Sequence, residues 1–354
     1  MTETNAAAAM PWLAEPLRRT LASSQAHALL IQGPNGVGQF ELGLTLAAAW
    51  LCESTEIPLV ERPCGTCASC RLVAARSHPD LVVVVPDALR ESLGWNAAAE
   101  GEEGGEGGGK KKPSKEIRVE AVRTAIGFAT TTSARGQGKV LVLHPAERMN
   151  PIAANAFLKT LEEPAGRARF LLCTSASDRL LPTIRSRCQS VALPVPPRDQ
   201  AEAWLASRGI DEPAVLLAAS GGQPQEAVEL AERGVDAKTW QGLPARLLRG
   251  DATAFQRWPL PVVVQTLQKL CHDALSVACG AAPRYFPARS LGAAGDPTAL
   301  LCWSRELTRL AEEADHPWSV DLAVENLVEQ SRQALKTPRS PDREAKALSL
   351  NSVR

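Results

Sequence analysis

The tightest constraint on this chain is a glycine loop set between an apolar segment and a helical one. Ala28-Leu29-Leu30-Ile31 leads into Gly33-Pro34-Asn35-Gly36-Val37-Gly38-Gln39-Phe40, and Glu41 to Leu51 continues with helical character. Strand, glycine loop and helix in that order form a phosphate-binding loop, G-x-x-x-x-G-K-[ST]. Its backbone N–H groups and helix N-terminus cradle an anion whatever the side chains are. The frame of a nucleotide-binding α/β fold is therefore present, but two working side chains are not. The position of the lysine that reaches the outer phosphates holds Gln39, which is uncharged. The position of the hydroxyl that holds Mg²⁺ holds Phe40, which coordinates nothing.

The segments that follow extend the α/β pattern. Residues 12–27 read as a helix ahead of a first strand near 28–32, and Arg71 to Ala75 as a short helix. Leu81 to Val85 is β-branched and continuous, as in a parallel sheet covered on both faces. Val119, Val122, Ile126 and Ala129 recur at helical spacing over 117–129, and Lys139 to Leu143 is the next buried strand. Asn150-Pro151 supplies an N-cap and an N1 proline. The helix they open buries Ala154, Phe157, Leu158 and Leu161 and stops at Pro164, before a strand from Arg169 to Thr174. Alternation of this kind predicts a doubly wound parallel sheet. Beyond Pro194 to Pro197 the pattern is helical only, with short helices to about 240 and longer ones over 241–335. The glycine-, glutamate- and lysine-rich 94–116 stretch reads as a flexible surface insertion and 338–354 as a disordered tail.

Charge narrows the function classes. Lys+Arg and Asp+Glu both number 39, so the chain as a whole shows no electrostatic sign of a nucleic-acid or membrane partner. The start lacks the basic and apolar regions of a signal peptide, and no apolar run approaches the roughly 20 residues of a membrane span. These features predict a cytoplasmic protein, in which nine cysteines point to metal binding or free thiols before disulfides.

Cys64-Gly65-Thr66-Cys67-Ala68-Ser69-Cys70, with Cys52 upstream at a helix end, offers four thiolates at spacings suited to tetrahedral Zn²⁺. Four cysteines leave no open position, so the expectation is a structural site. Iron–sulfur clusters also use C-x₂-C-x₂-C runs, and free surface thiols are the bland alternative. His78 is a reserve ligand, though His-Pro-Asp before a strand reads better as a turn. The strand that faces the loop in a P-loop ATPase ends in an acidic residue that helps hold Mg²⁺. Here it ends in His144-Pro145, and Glu147, three residues on, reads as a surface glutamate. Lysine, hydroxyl, metal carboxylate and base are thus all absent, which argues against hydrolysis. In Thr183-Ile184-Arg185-Ser186-Arg187-Cys188, two arginines at i and i+2 of an extended segment would face opposite sides. One pointing outward at a subunit boundary suits an arginine finger, and a surface or salt-bridged role is the alternative.

Asn150-Pro151-Ile152-Ala153-Ala154-Asn155-Ala156-Phe157-Leu158-Lys159-Thr160-Leu161-Glu162-Glu163-Pro164, followed by Ser186-Arg187-Cys188 and the four-cysteine insert, resembles the bacterial clamp-loader branch of the AAA+ superfamily. With its degenerate loop the chain is most similar to the non-hydrolysing stator members. The resemblance covers nearly the whole chain, and His316-Pro317-Trp318 fits it as well. It implies a RecA-like AAA+ domain over 1–193 with a zinc insert at 52–70, a helical lid over 194–240 and a helical collar over 241–337. It also implies a hetero-pentameric ring with the gamma/tau ATPase subunits and the delta subunit of the DNA polymerase III clamp loader. Through that ring come the sliding clamp and primer-template DNA. Arg187 is then the arginine that reaches a neighbour's ATP, structural Zn²⁺ the cofactor, and no ATP site of its own is expected. Gln225, in Gly221-Gly222-Gln223-Pro224-Gln225-Glu226-Ala227, stands where active members carry a nucleotide-sensing arginine. Two further readings compete: a divergent but active ATPase, which predicts micromolar ATP binding, and a zinc-dependent nucleic-acid-binding module, which predicts a salt-dependent gel shift.

Overall fold

The computed structural model describes residues 10–23, 25–95, 113–256, 258–292, 295–313 and 320–336. Most of the glycine-rich insertion, the His316-Pro317-Trp318 stretch and the 338–354 tail lie outside the described residues. The chain divides into two compact units, 1–200 and 201–354.

In the first unit five strands form one parallel sheet: β1 (Ala28–Gln32), β2 (Leu81–Val84), β3 (Lys139–Leu143), β4 (Ala168–Thr174) and β5 (Gln189–Ala192), in the order β2-β3-β4-β1-β5. Two-residue periodicity explains how both faces are covered. Leu30, Leu141, Leu143, Phe170 and Leu172 pack against Val122 and Ala125 of helix α4 (Val119–Thr130) and Ala153, Phe157 and Leu161 of α5 (Pro151–Glu162). Phe157 meets Phe170 edge to face at 5.4 Å. On the opposite face lies α2 (Gln39–Leu51). A Cβ on its Gly43 would come within 2.8 Å of Cys173 Sγ and 3.6 Å of Ile31 and Val142, so glycine permits the close approach. The parallel α/β expectation is met, with β1, β3 and the N-cap Asn150 falling where the pattern puts them; Asn150 Oδ1 accepts from the Ala153 N–H at 2.8 Å.

Three local expectations are corrected. The first helix is a 3₁₀ turn, Pro11–Leu13, continued by α1 (Ala14–Ser23), rather than one helix to residue 27. The short helix α3 spans Ala68–Ala74, because Cys67 Sγ caps it by accepting the Cys70 N–H, a cap no Ser, Thr, Asp or Asn announces. Thr183 to Cys188 is not extended: Pro182 at N1 presets a helical turn, Pro182–Arg185, anchored by buried Ile184.

Among the described residues no strand follows Ala192. After β5 come α6 (Arg198–Ser207), α7 (Pro213–Ala219), α8 (Pro224–Glu232), α9 (Ala237–Leu248), α10 (Leu260–Ala278), α11 (Pro297–Glu313) and α12 (Val320–Lys336). Val263, Leu267 and Leu270 of α10 recur at helical spacing and join Trp240, Phe255, Trp303 and Leu327 in one core that also takes in Ala219 and Leu230. Trp240 stacks on Phe286 at 4.6 Å while its Nε1 donates to the Tyr285 carbonyl. No described helix is long and apolar enough to cross a membrane.

Candidate functional site

The glycine loop leaves the carboxyl end of β1, which lies between β4 and β5, the switch point where open parallel sheets bind ligands. Gly36 and Gly38 take left-handed φ values of 71° and 101°, and Gly38 is the N-cap of α2. Gly33 faces the start of the next segment so closely that a Cβ there would lie 2.3 Å from the Leu193 carbonyl oxygen. The backbone frame of a phosphate loop is therefore intact.

The side chains around it are engaged with the protein itself. Gln39 is buried, and its Nε2 donates to the Gly33 and Pro34 carbonyls at 2.7 and 2.6 Å, tying the loop to its own helix. Phe40, at the lost hydroxyl position, stacks on His144, at the lost acidic position, with ring centroids 4.7 Å apart and planes 25° apart. The two positions that would have held Mg²⁺ thus form an aromatic pair. Desolvation holds the His144 imidazole down at about 4, offset in part by the Glu147 charge and the Cys173 backbone, so it is neutral near pH 7. Pro145 follows it through a cis peptide bond. On the other side of the loop the buried Met10 and Leu13 approach Gly38, and Trp12 Nε1 donates to the Val37 carbonyl at 2.8 Å. Glu147 is not the surface glutamate expected. It is half-buried, its Oε1 accepts from Ser175 N–H and Oγ at 3.1 and 2.8 Å, and its buried Oε2 has no protein partner. Gln225 lies in the first turn of α8, in the second unit.

Arg187 follows the Pro182–Arg185 turn. Its Nε donates to Glu162 Oε1 at 2.7 Å, its Nη2 pairs with the same oxygen, and its Nη1 donates to the Thr183 carbonyl at 2.9 Å. Arg185 is exposed, and Arg187 keeps 32% of its side chain exposed.

The four cysteines converge. The sulfurs of Cys52, Cys64, Cys67 and Cys70 lie within 4.8 Å of one another, close enough to hold one metal ion. Cys52 to Cys67 is 4.0 Å and Cys64 to Cys70 is 3.8 Å. A tetrahedron of Zn–S bonds near 2.3 Å sets sulfurs about 3.8 Å apart, whereas a disulfide needs about 2.05 Å. The Cys67 N–H points at Cys64 Sγ and the Cys70 N–H at Cys67 Sγ, each at 3.3 Å, as thiolates require. Burial raises the Cys64 thiol, but the N–H groups of Cys67 and Thr66 and the Thr66 hydroxyl outweigh it and bring it down to about 6. The donor set fits zinc. His78 is not among the ligands: Ser69 Oγ meets its Nε2 at 2.5 Å and the Asp80 N–H donates to its Nδ1 at 3.0 Å.

That histidine opens a brace the sequence did not announce. Asp80, fully buried, accepts from Ser133 Oγ and from the Ala134 and Arg135 N–H groups and lies 3.3 Å from Lys139 Nζ. Arg135 returns to Glu53, beside Cys52, at 2.7 Å. The cysteine loop is held from both ends. Only the His-Pro-Asp triplet hinted at this.

The profile of the family described as "DNA polymerase III, delta subunit" matches residues 12–197, more than half of the chain. The subunit delta' of Pseudomonas aeruginosa DNA polymerase III is 40% identical over 217 residues, covering 60% of this chain and 58% of that protein. The Escherichia coli subunit delta' is 31% identical over 281 residues, covering 73% and 76%. The chain belongs to the DNA polymerase III subunit delta' family. A tau subunit from Salmonella typhimurium is also similar, 30% identical over 162 residues and 46% of this chain. The chain spans 58% of the length of the Pseudomonas relative. The expectation drawn from the Leu-Lys-Thr-Leu-Glu-Glu-Pro and Ser-Arg-Cys motifs is met at the level of the family. Those motifs also contained the unremarked Glu162, whose partnership with Arg187 needed coordinates.

Proposed function

We propose that this chain is a non-hydrolysing stator of the DNA polymerase III clamp loader. In this reading it joins the gamma/tau ATPase subunits and delta in a ring that loads the sliding clamp onto primed DNA. It does no chemistry on nucleotide itself and supplies Arg187 to the ATP site of the adjacent subunit. The observation that carries the first half is the Phe40–His144 stack: the Mg²⁺ positions are occupied by two neutral rings, next to a loop tied off by Gln39. Family membership and the partly exposed side chain of Arg187 support the second half. The second unit would divide into a lid up to residue 240 and a collar beyond it. Cys52, Cys64, Cys67 and Cys70 would hold structural zinc, and the protein would work in the cytoplasm as part of the polymerase holoenzyme.

The test is Arg187→Ala in the reconstituted loader, read as ATP turnover at the site facing this chain. An arginine finger is worth roughly 10³ or more in turnover. Undiminished turnover would remove the role assigned to Arg187.

A further inference from the structure

We propose that Glu162 is an intramolecular counter-ion that holds Arg187 back until a neighbour's nucleotide replaces it. The proposal rests on the reading of Arg187 as a residue acting in trans and adds the device that regulates it.

Three observations converge on Glu162. First, the guanidinium is nearly saturated within its own chain. Nε and Nη2 both go to Glu162 Oε1, and Nη1 goes to the Thr183 carbonyl and, at 3.4 Å, to Ser186 Oγ. A guanidinium has five N–H donors, and a bidentate grip on phosphate needs two that are parallel. Arg187 can offer such a pair only by releasing Glu162 on one edge or the Thr183 carbonyl and Ser186 on the other. A positive charge matched by an adjacent carboxylate also stabilises little developing charge elsewhere.

Second, the carboxylate has no reason to be there for the sake of its helix. Glu162 ends α5, where the helix dipole is negative and an acidic side chain is disfavoured. Its neighbour Glu163 adds a second negative charge at the same end. Arg187 adds a cation from another segment to Lys159, the basic residue of the helix's own last turn.

Third, both partners are anchored from below while the pair itself is accessible. Leu161 and Ile184 are buried in the same apolar core, so the end of α5 and the Pro182–Arg185 turn are fixed relative to each other. Above them the side chains of Arg187 and Glu162 are 32% and 47% exposed. Pairs this exposed are weak and screened, so a multiply charged phosphate presented by a docked neighbour displaces the carboxylate. The arginine then changes partner without any movement of the elements that carry it.

The experiment uses the full loader reconstituted with its ATPase subunits, delta, clamp and primed DNA, comparing wild type, Glu162→Gln, Arg187→Ala and the double variant. Loss of the counter-ion should raise DNA-independent ATP turnover about two- to fivefold, the range of an exposed pair. Turnover with clamp and primed DNA should be unchanged, and the gain should vanish in the double variant. A Glu162→Gln loader with unchanged or reduced DNA-independent turnover, in a system where Arg187→Ala is impaired, would overturn the counter-ion role. If Arg187→Ala is fully active, the trans role itself fails, and that arm alone identifies the failure. A second readout needs no partner: the Arg187 Nε–H should exchange with solvent faster in Glu162→Gln than in wild type. Equal exchange in the isolated chain would show that the pair is not formed and would also overturn the proposal.

Discussion

Asp80 is where removal of a single charge should do most damage. It precedes β2 with no exposed surface, and every lone pair has a claimant. Oδ1 accepts the Ala134 N–H at 2.8 Å and lies 3.3 Å from Lys139 Nζ; Oδ2 accepts Ser133 Oγ at 2.9 Å and the Arg135 N–H at 2.8 Å. Burial alone would raise this carboxyl's pKa, but the two backbone N–H groups, the hydroxyl and the ammonium outweigh it, and the net shift is downward. A folded-state value below the unfolded one means the stabilisation is fully present above the unfolded value near 4. It is lost as pH falls through the folded value. Asp80→Asn must turn an NH₂ group toward donors and leaves Lys139, itself buried, without its anion. Breaking a buried ion pair from one side costs about 3–5 kcal/mol, a large share of the roughly 5–15 kcal/mol that holds a domain together. Because the chain has two units, the measurement should be local: hydrogen exchange of the β2 and β3 amides, with Val140 N–H bonded to the Asp80 carbonyl as reporter. Adding Lys139→Met to the Asn variant should recover part of the loss, since it removes the stranded charge. A loss below about 1 kcal/mol would refute the reasoning, because it would mean that water reaches these groups.

The remaining predictions concern the other sites. Elemental analysis of the purified chain should give about one zinc per molecule, and Cys70→Ser should lower it sharply; iron, or no metal, would contradict the ligand set. Gln39→Lys should not restore ATP binding in a calorimetric titration, because the Phe40–His144 pair still fills the Mg²⁺ positions, and micromolar binding would show the site to be open. In the second unit, Asp273 is buried and accepts the N–H groups of Arg284, Tyr285 and Phe286 at 2.9, 2.7 and 2.7 Å. Asp273→Ala should cost about 2–4 kcal/mol in that unit, read by urea denaturation, since it strands backbone donors with no other acceptor.

What the sequence disclosed and what it withheld divide along physical lines. β1, β3 and the Asn150 cap were legible because they depend on local chemistry: an unbroken apolar run, or a side-chain oxygen followed by proline. The convergence of Cys52, Cys64, Cys67 and Cys70 was legible because cysteine spacing is itself the geometry. The Pro182–Arg185 turn was misread because periodicity over four residues cannot separate a turn of helix from extended chain, and Ile184 chose the outcome by burial. Glu147 was misread because its bonds go to Ser175, 28 residues away. The Asp80 brace was invisible for the same reason, its acceptors being filled from residues 53 to 55 positions downstream.

The glycine loop shows why a lost site need not become an empty one. An abandoned phosphate cradle would leave buried backbone groups without partners and a Mg²⁺ position without an ion, and both are costly. Here the side chains around the loop find partners within the protein. Gln39 satisfies two loop carbonyls, Phe40 and His144 exchange a metal for ring stacking, and Trp12 accounts for the Val37 carbonyl. With Gln39 tying the loop to its own helix and a ring pair at the Mg²⁺ positions, the side chains that couple a bound nucleotide to the rest of the sheet are absent. If the proposed trans role holds, Arg187 answers to a nucleotide presented by a neighbour, and its release from Glu162 is the rearrangement that step requires.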